Sequence, residues 1–242
     1  VRSVTTSAKE IGECSENEAE GRHNNQLHNP ARSFSPLYYD TANLNGAVSK
    51  QIKQLLCPGD YTPNKTDGWP SGAGGKNCTY HNYVVNYGNT GIDESQNWQT
   101  ASYSGITFKG APFTLGHAQP LEGILDGTSN TLMVSELIIG QRQDLRGLTW
   151  WSSGAGFSSA LRPNDTAPDQ AWGNYSWCDP NPPNPPCTIR TGPYVFAARS
   201  RHTGGVNAAF CDGHVSFIPN NISASVWQAL STVHGSEPVT DY

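Results

Sequence analysis

Charge is scarce in this sequence. Only 14% of its 242 residues are Asp, Glu, Lys or Arg, the net charge is −5, and no basic run occurs. Phosphate binding needs clustered Lys or Arg, so nucleic acid is not an expected partner. Arg199 and Arg201 are the nearest approach to a basic cluster. Long apolar runs are missing too. No stretch approaches the ~18–20 residues that cross a bilayer, so membrane attachment is expected only through a segment outside this sequence. None of the six cysteines forms CxxC, which argues against a zinc ribbon. The signatures G-x-S-x-G, H-E-x-x-H and the P-loop are absent. Of seven histidines only His23 and His28 are close neighbours. A carbohydrate-cleaving enzyme needs two carboxylates across a cleft. Asp93, Glu94 and Asp144 are available, but no spacing pairs them.

What is abundant is turn chemistry. Gly 25 and Pro 17 exceed the usual combined share of roughly 12%, and Asn, Ser and Thr are plentiful. Such a chain is rich in loops and is not a helical bundle. Its length suffices to bury a full core, as one β-rich domain or a smaller domain with long insertions. Cysteines stand at 14, 57, 78, 178, 187 and 211. An even number in this composition suggests an oxidising compartment, with free buried thiols as the alternative. Sequence alone does not fix the pairing. The shortest loop favours Cys178–Cys187, which brackets a Pro-rich run, followed by Cys57–Cys78 and then Cys14–Cys211. Sequons at Asn64, Asn77, Asn164, Asn174 and Asn221 suit a surface protein, though a chain rich in Asn, Ser and Thr yields such triplets by chance.

Along the chain, residues 1–35 are polar, with a weak helical pattern at Ala8–Glu20. Ile52, Gln54 and Leu56 alternate as in a strand that stops at Pro58-Gly59. Residues 80–87 (YHNYVVNY) read as a second strand and residues 131–138 as a third. Residues 142–195 look like a long decorated insertion. Val226, Trp227, Ala229 and Leu230 fit a short helix within residues 222–232.

The chemistry concentrates in four places. Asp212-Gly213 between alternating runs predicts a two-residue type I′ hairpin turn. That register pairs Phe210 with Val215 and Ala208 with Phe217, and puts Val206, Ala208, Phe210, Val215 and Phe217 on the core face. His202 then lies a strand's length from Asp212, so the two cannot share one metal or one reaction. Glu136 is the odd member of the row Leu132, Val134, Glu136, Ile138. A buried carboxylate requires a cation or several donors. Arg199, Arg201 and His202 are the expected partners, in a structural anchor, with a metal or ligand site and catalysis as alternatives. Asp126, Thr128 and Asn130 form a dense polar turn that either holds itself by side-chain to backbone bonds or offers oxygens to calcium. Trp150, Trp151, Trp172 and Trp177 are candidate sugar-stacking platforms for a polysaccharide, or else cap the core.

Four motifs occur in a familiar order: LLCPGD (residues 55–60), the Asn-Tyr segment (80–87), GILDGTSNTLMVSELI (123–138), and His202, nine residues, then Asp212-Gly213. The ending W-x-x-L-x-T with Gly235-Ser236-Glu237 accompanies them. Together they resemble the DUF1559 family, the prepilin-type H-X9-DG proteins. The resemblance implies an α+β fold, mainly antiparallel β, the globular head of a pilin or type II secretion pseudopilin. The family's N-terminal hydrophobic helix is absent from this sequence, which begins with a polar segment at 1–35 before the head at 36–242. It further implies an extracellular or cell-surface structural subunit that associates with itself, in or on a filament or secretion apparatus. Some pseudopilins order a loop with calcium, so the resemblance makes Ca2+ the candidate ion, as the alternative to a turn that holds itself without a cofactor. The competing expectations are a secreted carbohydrate- or calcium-binding module and a secreted enzyme.

Overall fold

The computed structural model describes residues 49–60, 79–92, 102–114, 117–142, 144–149, 153–172 and 177–236. Eleven strands are described: β1 (Tyr83–Asn86), β2 (Ser102–Tyr103), β3 (Ile106–Thr107), β4 (Phe113–Thr114), β5 (His117–Ala118), β6 (Leu132–Glu136), β7 (Gly156–Phe157), β8 (Asp169–Trp172), β9 (Cys187–Arg190), β10 (Gly205–Phe210) and β11 (Val215–Pro219). One α-helix, α1 (Ala224–Ala229), follows them. The fold is α+β, β-rich and mainly antiparallel, as expected. Its main sheet runs β11-β10-β6-β1-β7, with β1 and β7 parallel and the other neighbours antiparallel. A separate parallel pair joins β8 to β9.

The core lies on one face of this sheet. Val84, Ala208, Val206, Phe210 and Ile218 point into it and meet Phe157, Phe196, Ile222, Trp227 and Leu230. Ser223 caps α1 by accepting the Val226 N–H at 3.2 Å, which starts the helix where a polar oxygen replaces an absent carbonyl partner. The helix then drives Trp227 into the core, where it stacks on Phe157 with centroids 5.8 Å apart and donates its indole N–H to Leu161 O. Residues 142–195 are no peripheral decoration. Leu145, Leu148, Phe157, Ala171, Tyr194 and Val195 are all buried.

Two local expectations are corrected. Residues 53–55 form a 3-10 turn and not a strand, because Leu55 and Leu56 N–H groups bond back to Ile52 and Lys53 carbonyls. The terminal hairpin turn has three residues, not two. Phe210 faces His214, Gly213 N–H bonds Phe210 O, and Gly213 alone carries positive φ, +94°. That is a turn closed by a left-handed glycine.

The extra residue moves the register by one and turns β11 over. Val215 pairs with Ala209 and Phe217 with Asn207. Val215 and Phe217 are therefore exposed, at 67% and 49%, while Ile218 is buried. The outward face acquires an apolar row across four strands: Val215, Ala209, Val134 and Val85. Leu132 escapes that face because β6 slips against β10 between Ala209 and Phe210.

This register predicts unequal responses to substitution. Ile218→Ala is expected to cost about 2–5 kcal/mol, whereas Val215→Lys and Phe217→Lys stay within about 0.5 kcal/mol of wild type. Urea unfolding of the three variants checks it, and the two-residue register demands the reverse order.

Candidate functional site

Glu136 ends β6 at the centre of the sheet and is 1% exposed. Its carboxylate is saturated with donors. Oε2 accepts Asn207 N–H at 2.8 Å, and Oε1 accepts the Asn207 side-chain amide at 3.1 Å and Tyr83 O–H at 3.3 Å. His202 Nε2 lies 3.1 Å from the same Oε1. Cys57 Sγ lies 3.3 Å from that nitrogen. Cys57, Glu136 and His202 thus place three ligand-type atoms within 4.8 Å of one another, the one such group among the described residues.

The elements that present these side chains are held separately. The turn Cys57-Pro58-Gly59-Asp60 closes with Asp60 N–H on Cys57 O, and Asn82 Oδ1 accepts Cys57 N–H at 2.9 Å. Gly59 allows close approach, since a Cβ there would stand 3.1 Å from His202 Cε1. Asp60 accepts the Asn82 amide at 2.7 Å, Ile139 N–H at 3.1 Å and Arg201 Nε–H at 2.9 Å. Ser200 Oγ accepts His202 N–H at 3.1 Å and donates to Gly205 O at 2.7 Å. Segments that carry the family resemblance converge here: residues 55–60, 80–87, Glu136 and His202.

The three candidate cations have separate partners. Of the three, His202 reaches the Glu136 carboxylate. Arg201 takes Asp60. Arg199 takes Asp169, with Nη2 at 2.8 Å from Oδ1, and donates to Asp165 O and Ala167 O. Only the Arg199 backbone meets Glu136, through its N–H on Glu136 O. Asp169 is the centre of a second buried assembly that sequence reasoning missed. Arg146 Nη1 donates to Asp169 Oδ2 at 2.9 Å, and Arg146 also grips Asp144 at 2.6 Å. Asp144, Arg146 and Asp169 are all 0% exposed. Burial opposes the Arg146 charge, and the Asp144 and Asp169 carboxylates outweigh it, so its pKa is raised. Asp144 is therefore an ion-pair partner and not a cleft carboxylate; Asp93 and Glu94 lie outside the described residues.

The remaining candidates resolve as follows. Asp126 turns its carboxylate to the C-terminal segment, accepting Thr232 Oγ1–H, Gly235 N–H and Ser236 N–H. Asn130 donates to Asp126 O, and Thr128 O accepts Asp212 N–H. The loop thus closes on the hairpin tip and on residues 232–236, where calcium binding would need oxygens converging on an ion. Asp212 holds its own turn, accepting His214 N–H and facing His214 Nδ1 at 2.7 Å. Trp177 is half-buried and packs on the core, so it offers no open platform. Trp172 lies in β8, and Trp150 and Trp151 lie outside the described residues.

Cys178 and Cys187 form a disulfide. Cys57 and Cys211 are free thiols, which corrects the other two pairings: Cys57 faces His202 and Cys211 sits in the hairpin turn, while Cys14 and Cys78 lie outside the described residues. The Asn164 amide is also committed, donating to Asn220 Oδ1 at 2.8 Å. Asn221 is exposed; the sequons at 64, 77 and 174 lie outside the described residues.

Chemically, the Cys57–His202–Glu136 group is not a nucleophile relay. A relay uses both imidazole nitrogens, and here one nitrogen serves both neighbours. Burial, reinforced by Glu136, pushes the Cys57 thiol up, opposite to the shift that activates a thiolate. Burial and then the Glu136 and Cys57 charges push Tyr83 up to about 12. The arrangement can hold three chain segments together, or bind an ion.

Beyond geometry, the family model described as a protein of unknown function, DUF1559, matches residues 13–225. No curated protein matches the chain, and no solved structure does.

Removing one charge from the second assembly is expected to be severe. Asp169→Asn leaves two buried guanidinium groups short of a partner and should cost about 3–5 kcal/mol, read as a lower urea midpoint. His81 supplies a pH test. Its Nε2 accepts Ile52 N–H at 2.8 Å, so the ring is neutral with its proton on Nδ1, facing Thr149 Oγ1. Burial lowers its pKa to about 4. The unfolded chain then binds the extra proton first. This contribution to stability is complete above about pH 6.5 and is lost as pH falls toward 4. Thermal unfolding at pH 7 and 4.5 should show a steep drop in wild type and a shallower one in His81→Gln.

Proposed function

Because this chain belongs to the DUF1559 family, we propose that it is a structural subunit outside the cell or on its surface, pilin- or pseudopilin-like, that associates with copies of itself. The observation that carries this reading is the outward face of the main sheet. Val85, Val134, Ala209 and Val215 make an apolar row that ends at β11, the outermost strand of the sheet. Val215 and Phe217 stand exposed there. Among the described residues, β11 pairs with β10 alone. His214 and Asn220 bond toward β10, so by antiparallel alternation the Val215 and Phe217 backbone groups point outward. A strand edge with exposed apolar side chains is a template for pairing with another chain. Pro219 ends it, as a proline without N–H suits an edge.

The disulfide Cys178–Cys187 supports an oxidising location. The turn-rich, weakly charged composition suits a displayed head. The buried ion pairs at Asp60, Glu136 and Asp169 suit a rigid body more than a moving active site. The polysaccharide- and calcium-binding readings draw less support, since Trp177 packs inward and Asp126 is engaged by backbone donors.

Sedimentation of the full chain over a concentration series, with electron microscopy of the native surface material, tests the reading. Wild type should self-associate, and the double variant Val215→Lys/Phe217→Lys should stay monomeric with an unchanged melting temperature. A wild type that is monomeric at every concentration and forms no assembly in its native setting overturns the proposal.

A further inference from the structure

We infer that Cys57, Glu136 and His202 form a binding site for a divalent transition ion of the zinc class. The inference rests on the positions of three atoms and is independent of self-association. Sγ, Nε2 and Oε1 are all within 4.8 Å of one another, with Sγ to Nε2 at 3.3 Å and Nε2 to Oε1 at 3.1 Å. A tetrahedral zinc with Zn–S about 2.3 Å and Zn–N and Zn–O about 2.0–2.2 Å separates the same atom types by about 3.6 Å and 3.4 Å. A shift of a few tenths of an ångström opens these two edges to the separations the ion requires, and the third, Sγ to Oε1, lies within 4.8 Å. The donor set is one thiolate, one imidazole and one carboxylate, a combination that favours borderline-soft ions over Ca2+ or Mg2+.

The surroundings of the three ligands have the features of a prepared site. Glu136 is oriented by Asn207 through both its N–H and its amide, and by Tyr83 O–H. Cys57 is fixed by Asn82, and the turn that bears it packs Gly59 against the imidazole. Outer hydrogen bonds of this kind hold metal ligands in place. Glu136 and Cys57 are buried, while the His202 side chain is 33% exposed. The ion therefore enters past the imidazole, and water or a group from outside completes four-fold coordination.

In the metal-free protein, hydrogen bonds around His202 Nε2 occupy the space between the ligands. Binding replaces them. Cys57 gives up its S–H proton to solvent, the imidazole proton that Nε2 donates to Glu136 is relocated through solvent to Nδ1 so that Nε2 can ligate, and the Glu136 carboxylate binds as it stands. One proton leaves per ion bound. The ion then cross-links residues 57, 136 and 202, which belong to three separate segments, and acts as a clamp at the centre of the sheet.

Titration of the full chain with Zn2+, followed calorimetrically, and with Co2+, followed by absorption, tests the site. One ion per chain is expected, with a thiolate-to-cobalt charge-transfer band and a melting temperature that rises with zinc concentration. Cys211→Ser should keep all three signals. Cys57→Ser should lose the band, and both Cys57→Ser and His202→Gln should weaken binding by more than about a hundredfold, beyond the cost of disturbing an outer hydrogen bond. Cys57→Ser preserves side-chain size, so a folded variant is expected, and its circular dichroism verifies that. Absence of stoichiometric binding in wild type, or a band and affinity unchanged in folded Cys57→Ser, overturns the inference.

Discussion

Asp169 bears two guanidinium groups in a space from which water is excluded, and the interior is arranged around that fact. Arg146 approaches one side and Arg199 the other, and Ala197 N–H fills the remaining acceptor position. Asp144 completes an alternating sequence of charges. Taking four charges out of water is costly, and only near-complete pairing offsets it. The Arg146 guanidinium also donates to the carbonyls of Pro185 and Asp179, inside the disulfide loop. The loop 178–187, strand β8 and the approach to β10 are thus positioned by one set of charges. Among the described residues of 142–195, polar geometry fixes the chain path as well as apolar packing does.

The Glu136 group repeats this logic at the sheet centre with different chemistry. Its partners are neutral or titratable: an amide, a backbone N–H, a phenol, an imidazole and a thiol. A carboxylate held by such groups can exchange one donor for an ion, whereas Asp169, held by two guanidinium groups, cannot. The two assemblies sit on neighbouring stretches of chain, since Arg199 serves the first and His202 the second. Arg201, between them, ties down Asp60.

Much of the sheet was legible in the sequence because its cues are local. Alternation marked β1, β6, β10 and β11, and Asp-Gly marked the turn. The short helix was visible from Val226, Trp227, Ala229 and Leu230. The turn length was not legible, because Asp212-Gly213 suits both a two-residue turn and the end of a three-residue one, and that single residue decides which face β11 buries. Glu136 stood out as a carboxylate in an apolar row, and His202 was among its expected partners. The carboxylates that hold Arg199 and Arg201 were not legible, because Asp169 and Asp60 lie in segments with no periodic pattern to flag burial. Cys57 was visible in LLCPGD, yet it was assigned to a disulfide; only three-dimensional proximity to His202 reveals its neighbour. Asn82 and Asn207 carried no local signal, since an Asn that bonds backbone from the interior looks like any loop Asn.

Four carboxylates reach forward in sequence to the same late stretch. Asp60 waits for Arg201, Glu136 for His202 and Asn207, Asp169 for Arg199, and Asp126 for Gly235 and Ser236. Each of these partners lies within residues 199–236, whereas Arg146 meets Asp144 and Asp169 from earlier in the chain. A chain that stops short of this stretch lacks these partners, and the strand that joins β11 to β6 does not yet exist. Closure of the main sheet therefore waits on residues 199–236, and loss of that one stretch strips partners from four carboxylates at once.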